Sequence, residues 1–137
     1  MRVLVDTNVI LDLLLNRMPF APSATKVVAL IEESELKGYL CATTVTTLDY
    51  LLSRSLPKKE SRNAVRRLMG LFEIAPVNRS VLDQALESSV TDFEDAVLEQ
   101  SALLMSVDCI ISRNLKDFKK SMVRALDPSE LLSTLKT

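Results

Sequence analysis

The chain contains no histidine. That excludes Ser-His-Asp and Cys-His nucleophile systems, and zinc sites built on imidazole. Glycine is nearly absent too. Gly38 and Gly70 are the only 2, too few for a phosphate-cradling loop or a G-x-G-x-x-G dinucleotide turn. With no Trp, four Phe and two Tyr, base stacking is not advertised. The two cysteines, Cys41 and Cys109, sit inside apolar strand-like runs and read as buried inert thiols, not as a disulfide framework or a metal pair. No apolar run reaches the ~18 residues of a membrane span. Asp6 and Asp12 interrupt the apolar start, so the pattern is not that of a secretion signal. A soluble, cytoplasmic protein without membrane contact is expected. The formal net charge of -1 gives no bulk attraction to nucleic acid. Any chemistry is left to carboxylates and hydroxyls, and carboxylates clustered without imidazole or thiolate suit hard cations such as Mg²⁺ or Mn²⁺.

What is present is a chain of 137 residues, 47% of them hydrophobic, which suits one domain over residues 1–137 with a real core. Strand and helix patterns alternate. The short β-branched and apolar run 3–5 reads as a buried strand. Thr7 and Asn8 can cap a helix over 9–15. A Pro-containing break at 16–22 precedes a helix over 23–36, and 39–41 is a short strand. Thr43 and Thr44 can cap a helix ending at Ser53. A further helix, 59–69, is expected to stop at Gly70. Residues 71–75 read as a strand, and Asn78 starts a helix to Ser88. Asp92 caps a long helix over 93–105. Strands follow at 107–112 and 122–126, and Pro128 opens the last helix at its first turn. This order predicts an α/β fold: a three-layer α/β/α sandwich around a five-stranded, mostly parallel sheet with right-handed crossovers.

In such a sheet ligands bind beyond the carboxyl ends of the strands. Asp6 ends the first strand. Asp92, Glu94 and Asp95 open the long helix, where acids also cap free N–H groups and complement the helix dipole. Capping is the favoured role for Asp92. Asp95 lies one turn into that helix and can point across the sheet edge toward Asp6. Asp117 lies in the turn after the fourth strand and reads equally well as a cap or as a site residue. If the strands are parallel, Asp6, Asp95 and the 112–117 turn converge on one rim. Converging carboxylates repel unless protons or cations compensate.

The opening V-D-T-N-V-I-L-D, the later D-F-E-D-A and I-I-S-R-N-L-K-D-F resemble the PIN-domain family in order and spacing, over nearly the whole chain. The resemblance implies a five-stranded parallel sheet and a ribonuclease dependent on Mg²⁺ or Mn²⁺. Many small members are the toxin half of bacterial toxin–antitoxin pairs that cut RNA, which implies RNA as substrate, a small antitoxin protein as partner and a homodimer. Carried over by position, Asp6 resembles the first metal ligand, with Thr7 and Asn8 supporting it. Asp95 resembles the central ligand. The turn from Ser112 to Asp117 resembles the last acidic site, with Asn114 standing where many relatives carry an acid. One departure stands out. Where the family usually has an acid early in the helix after the second strand, this chain has Thr47. The nearest acid, Asp49, is two residues on, about 200° around a helix. That departure motivates a second reading, a catalytically weak or inactive module that binds nucleic acid or a partner. A third reading is an aspartate-phosphate enzyme built on Asp6, but Asn8 stands where its second acid is needed.

Two basic groups bear on RNA. Arg54, Lys58, Lys59, Arg62, Arg66 and Arg67 face only Glu60 as an opposing charge, and Arg113, Lys116, Lys119 and Lys120 lie beside the proposed acids. Arg62, Arg66, Arg113 and Lys116 are candidate backbone contacts. The alternative for each group is a solvated face. Leucines at 11–15 and 48–52 read as core, with some available for a dimer face or a partner's helix.

Overall fold

Val3, Leu4 and Val5 are fully buried and, with Arg2, form the central strand of the sheet. The structure is a computed structural model describing residues 1–136. In chain order the elements are β1 (Arg2–Val5), α1 (Thr7–Leu14), α2 (Ala21–Glu32), β2 (Lys37–Cys41), α3 (Ala42–Leu52), α4 (Lys58–Leu71), β3 (Glu73–Ala75), α5 (Arg79–Leu86), α6 (Phe93–Leu104), β4 (Cys109–Ile111), a 3₁₀ turn (Leu115–Phe118), β5 (Ala125–Leu126) and α7 (Pro128–Leu135). The five strands pair in the order β3-β2-β1-β4-β5, and every pairing is parallel. Leu4 lies opposite Tyr39 on one side and Ile110 on the other.

Side chains alternate across the pleat, so each strand feeds two cores. Val3, Val5, Leu40, Cys109 and Ile111 pack against α1, α2, α3, α4 and α7. Leu4, Tyr39, Cys41 and Ile110 pack against α5 and α6. The three-layer expectation holds, with five helices on one face and two on the other. The two thiols lie in different layers, and both are buried and free. Gly38 on β2 marks the closest approach: a Cβ there would stand 2.7 Å from Ile31 Cδ1 and 2.9 Å from Phe72 Cδ1.

Several local expectations are corrected. Asp6, not Thr7 or Asn8, caps α1. Cys41 occupies the cap position of α3 with no side-chain capping bond, so Thr43 and Thr44 do not cap it. Gly70 does not stop α4, which runs on to Leu71. There the added Cβ would meet nothing within 4 Å, so the site is open and imposes no conformation that needs glycine. The third, fourth and fifth strands are shorter than predicted. Asn78 and Asp92 cap α5 and α6 as expected, accepting from Val81 N and Asp95 N, and Pro128 opens α7.

Candidate functional site

The strand order reverses at β1: the chain moves outward through β2 and β3, then returns to place β4 and β5 on β1's other side. The gap beyond the ends of β1 and β4 is therefore a topological switch point. Asp6 and Ser112 follow those two strands directly. The Asp6 amide donates to Ile111 O at 2.9 Å. Its side chain, in a residue 8% exposed, accepts from Thr7 N at 2.8 Å, Ser112 Oγ at 2.7 Å and Asn8 Nδ2 at 3.3 Å. Burial pushes its pKa up, the hydrogen bonds from Ser112 and Thr7 oppose that, and the charges of Asp117 and Glu94 push the same way as burial.

The turn after β4 is pinned to the same point. Asn114 N donates to Ser112 Oγ at 3.0 Å, and Arg113 N donates to Asn8 Oδ1 at 3.2 Å. Thr7 and Asn8 thus support Asp6 and the turn together. Across the gap, α6 begins under the cap formed by Asp92, whose Oδ2 accepts from Asp95 N at 3.1 Å. Burial and the charges of Asp6, Asp92 and Asp117 lift the Asp95 pKa to about 7. An open cleft of about 540 Å³ is lined by Asp6, Thr7, Asn8, Thr47, Asp92, Glu94, Asp95, Asn114 and Asp117, together with Leu11, Arg17 and Arg113. The predicted acids are brought together.

Among the described residues no three acidic or thiol side chains stand close enough to enclose a cation unaided. A hydrated Mg²⁺ does not need that: it keeps several waters and uses one or two carboxylates. The donors here are all oxygens, as hard cations prefer. The raised pKa of Asp95 reports negative charge that the protein leaves uncompensated. The residues present fit a divalent cation held partly through water. Thr47 faces this cleft, and Asp49 does not line it. Asp49 accepts from Arg62 Nε at 3.2 Å, so it does not replace the missing acid.

The residue that sequence reasoning missed is Asp12. It is 1% exposed and carries two guanidinium groups: Arg17 Nε at 2.9 Å and Arg113 Nε at 2.6 Å. Arg113 also stacks over Phe20, 3.9 Å from the ring centre. The signal was available, because a carboxylate between Leu11 and Leu13 on an apolar helix requires a buried partner. Arg113, a candidate RNA contact, is thus committed to Asp12. Arg62 is committed to Asp49. Arg66 donates to Asn63 Oδ1 at 2.9 Å and lines a separate cleft with Leu14 and Leu56. Lys116 lies beside Asp117, lining a neighbouring cleft.

The sequence profile of the PIN domain matches residues 2–116. No curated protein matches the chain by sequence. Solved structures with the same fold include FitAcB from Neisseria gonorrhoeae, 22% identical with a TM-score of 0.71, covering 93% of this chain and 98% of that one. VapBC2 from Rickettsia felis, bound to a DNA fragment from its promoter, is 13% identical with a TM-score of 0.70, covering 93% and 98%. VapC20 from Mycobacterium tuberculosis, a toxin that cleaves the sarcin–ricin loop, is 17% identical with a TM-score of 0.68, covering 89% and 98%.

Proposed function

Because this chain belongs to the PIN-domain family, we propose that it is an endoribonuclease that hydrolyses RNA phosphodiester bonds with a bound Mg²⁺ or Mn²⁺. The observation that carries the reading is the meeting of Asp6, Asp95 and Asp117 in one cleft at the switch point of the sheet. Asp6 and Asp95 hold the cation in this reading. When bound, the cation supplies charge neutralisation at the phosphate and lowers the pKa of water in the cleft. Asp6 is held by three hydrogen bonds and has little freedom to reorganise, which is what a preorganised site requires. Asp117, with Asn114 on the same turn, orients the attacking water. Thr7, Asn8 and Ser112 keep Asp6 and the turn in register, and Asp92 fixes the first turn of α6.

The test is RNA cleavage by the wild-type protein and Asp95→Asn, each with Mn²⁺, Mg²⁺ or EDTA. Cation-dependent cleavage, reduced at least about a hundredfold in the variant, is the expected result. Cleavage that persists in EDTA would sink the assignment.

The second reading, a PIN-like binding module without turnover, is favoured by Thr47, which lines the cleft where a carboxylate would add charge. It predicts RNA or partner binding without cleavage, and cleavage gained in Thr47→Glu. On the first reading the wild-type protein already cuts. We further propose that the whole chain acts as one PIN-like domain in the cytoplasm, forms a homodimer, and is held in check by a small antitoxin chain. Likeness to the FitAcB and VapBC2 structures supports the antitoxin, and the homodimer and the compartment rest on the family resemblance. No helix among the described residues is long and apolar enough to cross a membrane.

A further inference from the structure

A second cleft, of about 460 Å³, shares Asp92 and Asp117 with the acidic one as common walls. Its other lining residues are Ser89, Val90, Thr91, Lys116, Lys119 and Lys120. The size is in the range of small-ligand clefts. The three lysines are exposed, and among the described residues none has a carboxylate within salt-bridge distance, whereas Arg17 and Arg113 beside the acids are both tied to Asp12. Among the residues lining the two clefts, the uncommitted positive charge is therefore that of these lysines. The hydroxyls of Ser89 and Thr91 make no hydrogen bond among the described residues and remain available as donors.

The two walls of this cleft are riveted together from below. Glu99 on α6 is 1% exposed. Its Oε1 accepts from Ser88 Oγ at 2.6 Å, next to Ser89, while its Oε2 accepts from Met122 N at 2.7 Å, two residues after Lys120. Ser88 Oγ in turn accepts from Val90 N at 3.0 Å. Phe118, buried between Lys116 and Lys119, anchors the lysine-bearing turn. The cleft is thus a built feature, with its charged side chains raised on fixed backbone, rather than a loose basic patch.

We propose that this lysine cleft binds a phosphodiester of the RNA strand adjacent to the phosphodiester positioned over the carboxylates. The inference rests on the nuclease reading for the identity of the strand. Cations on one side of Asp117 and acids on the other sort the work: the lysines position the backbone, which carries no sequence information, and the carboxylates, once loaded with a cation, take the bond to be cut.

The experiment uses the full chain and fluorescein-labelled single-stranded RNA of mixed sequence. Binding is read by anisotropy in EDTA over a range of salt concentrations, and cleavage is read separately with Mn²⁺. The variants are Lys119→Ala/Lys120→Ala and, as a charge control, Arg79→Ala on α5, which lines neither cleft. The double variant is expected to bind roughly tenfold more weakly, with a log–log salt slope shallower by about 1. Its KM for RNA should rise by more than kcat falls. Affinity and slope equal to those of wild type overturn the cleft assignment and leave the nuclease standing if cleavage is seen. RNA bound through the lysines with no cleavage supports the cleft and overturns the nuclease. RNA neither bound nor cut by the wild type overturns both. Because the substituted side chains are exposed, unchanged melting temperatures confirm that the comparison is between folded proteins.

Discussion

Asp95 holds its proton to about pH 7 in the folded, cation-free protein, against 3.8 ordinarily. The group is uncomfortable when ionised, so its cost to folding is absent below about pH 4, where folded and unfolded chains are both protonated, and is fully present above about pH 7. Asp6, raised mainly by burial, acts in the same direction. Glu99 acts oppositely. Burial pushes it up, but hydrogen bonds from Ser88, Met122, Gln100 and Ser121 bring it below its usual 4.5, so its contribution is lost only in stronger acid. Melting in EDTA should therefore give a higher melting temperature near pH 5 than near pH 8. Asp95→Asn should recover about 1 kcal/mol at the higher pH, a figure that allows for solvent screening of a half-buried carboxyl. Equal melting temperatures at both pH values would count against the crowding of acids. Asp12 makes the opposite case, an acid that is fully paired. Asp12→Asn leaves two guanidinium groups without a counter-charge and should cost roughly 3 kcal/mol in urea unfolding. Asp6, Asp95 and Asp117 were legible because each follows or opens an element whose end the pattern located. The pairing of Asp12 with Arg113 was not, because the two come together only when β4 docks beside β1.

At the scale of elements, β2 is the tightest joint. Gly38 has Ile31 of α2 and Phe72 within 3 Å of where a Cβ would stand, so Gly38→Ala must displace packed side chains. A loss of about 1–3 kcal/mol is expected, read as a lowered urea midpoint with unchanged m-value. Gly70→Ala is the contrast: it sits within α4 facing open space, and a gain of about 0.5–1 kcal/mol is expected. Elements were legible wherever hydrophobic period and cap residue agreed, as at Asn78 and Asp92. They were misread where a residue's local meaning was overridden. Gly70 read as a helix stop, but the helix continues through Leu71, which packs on the core, and the chain turns extended only at Phe72, whose side chain is buried there. Thr43 and Thr44 read as caps, but Thr44 is drawn inside and its Oγ1 has no partner among the described residues.

At the scale of the molecule, the alternation of strand and helix predicted the layers, and the structure adds the order of strands that makes β1 the pivot. No local pattern encodes that order, because it follows from which edge of β1 remains open when β4 arrives. A divalent cation that binds only the folded cleft should raise the melting temperature by mass action, by about 2.7 kcal/mol of stability at one hundred times its Kd. It should also flatten the pH dependence of melting seen in EDTA. Chelator-insensitive melting would argue against cation binding. The bond between Asp6 and Ser112 spans 106 positions of sequence, and this has a consequence in time. A ribosome makes Asp117 more than a hundred residues after Asp6, at about 5–20 residues per second. For on the order of ten seconds the nascent chain carries only half of the cleft. On the nuclease reading, cutting would switch on all at once when the second half of the cleft is made, and a silencing protein would have that interval in which to be waiting.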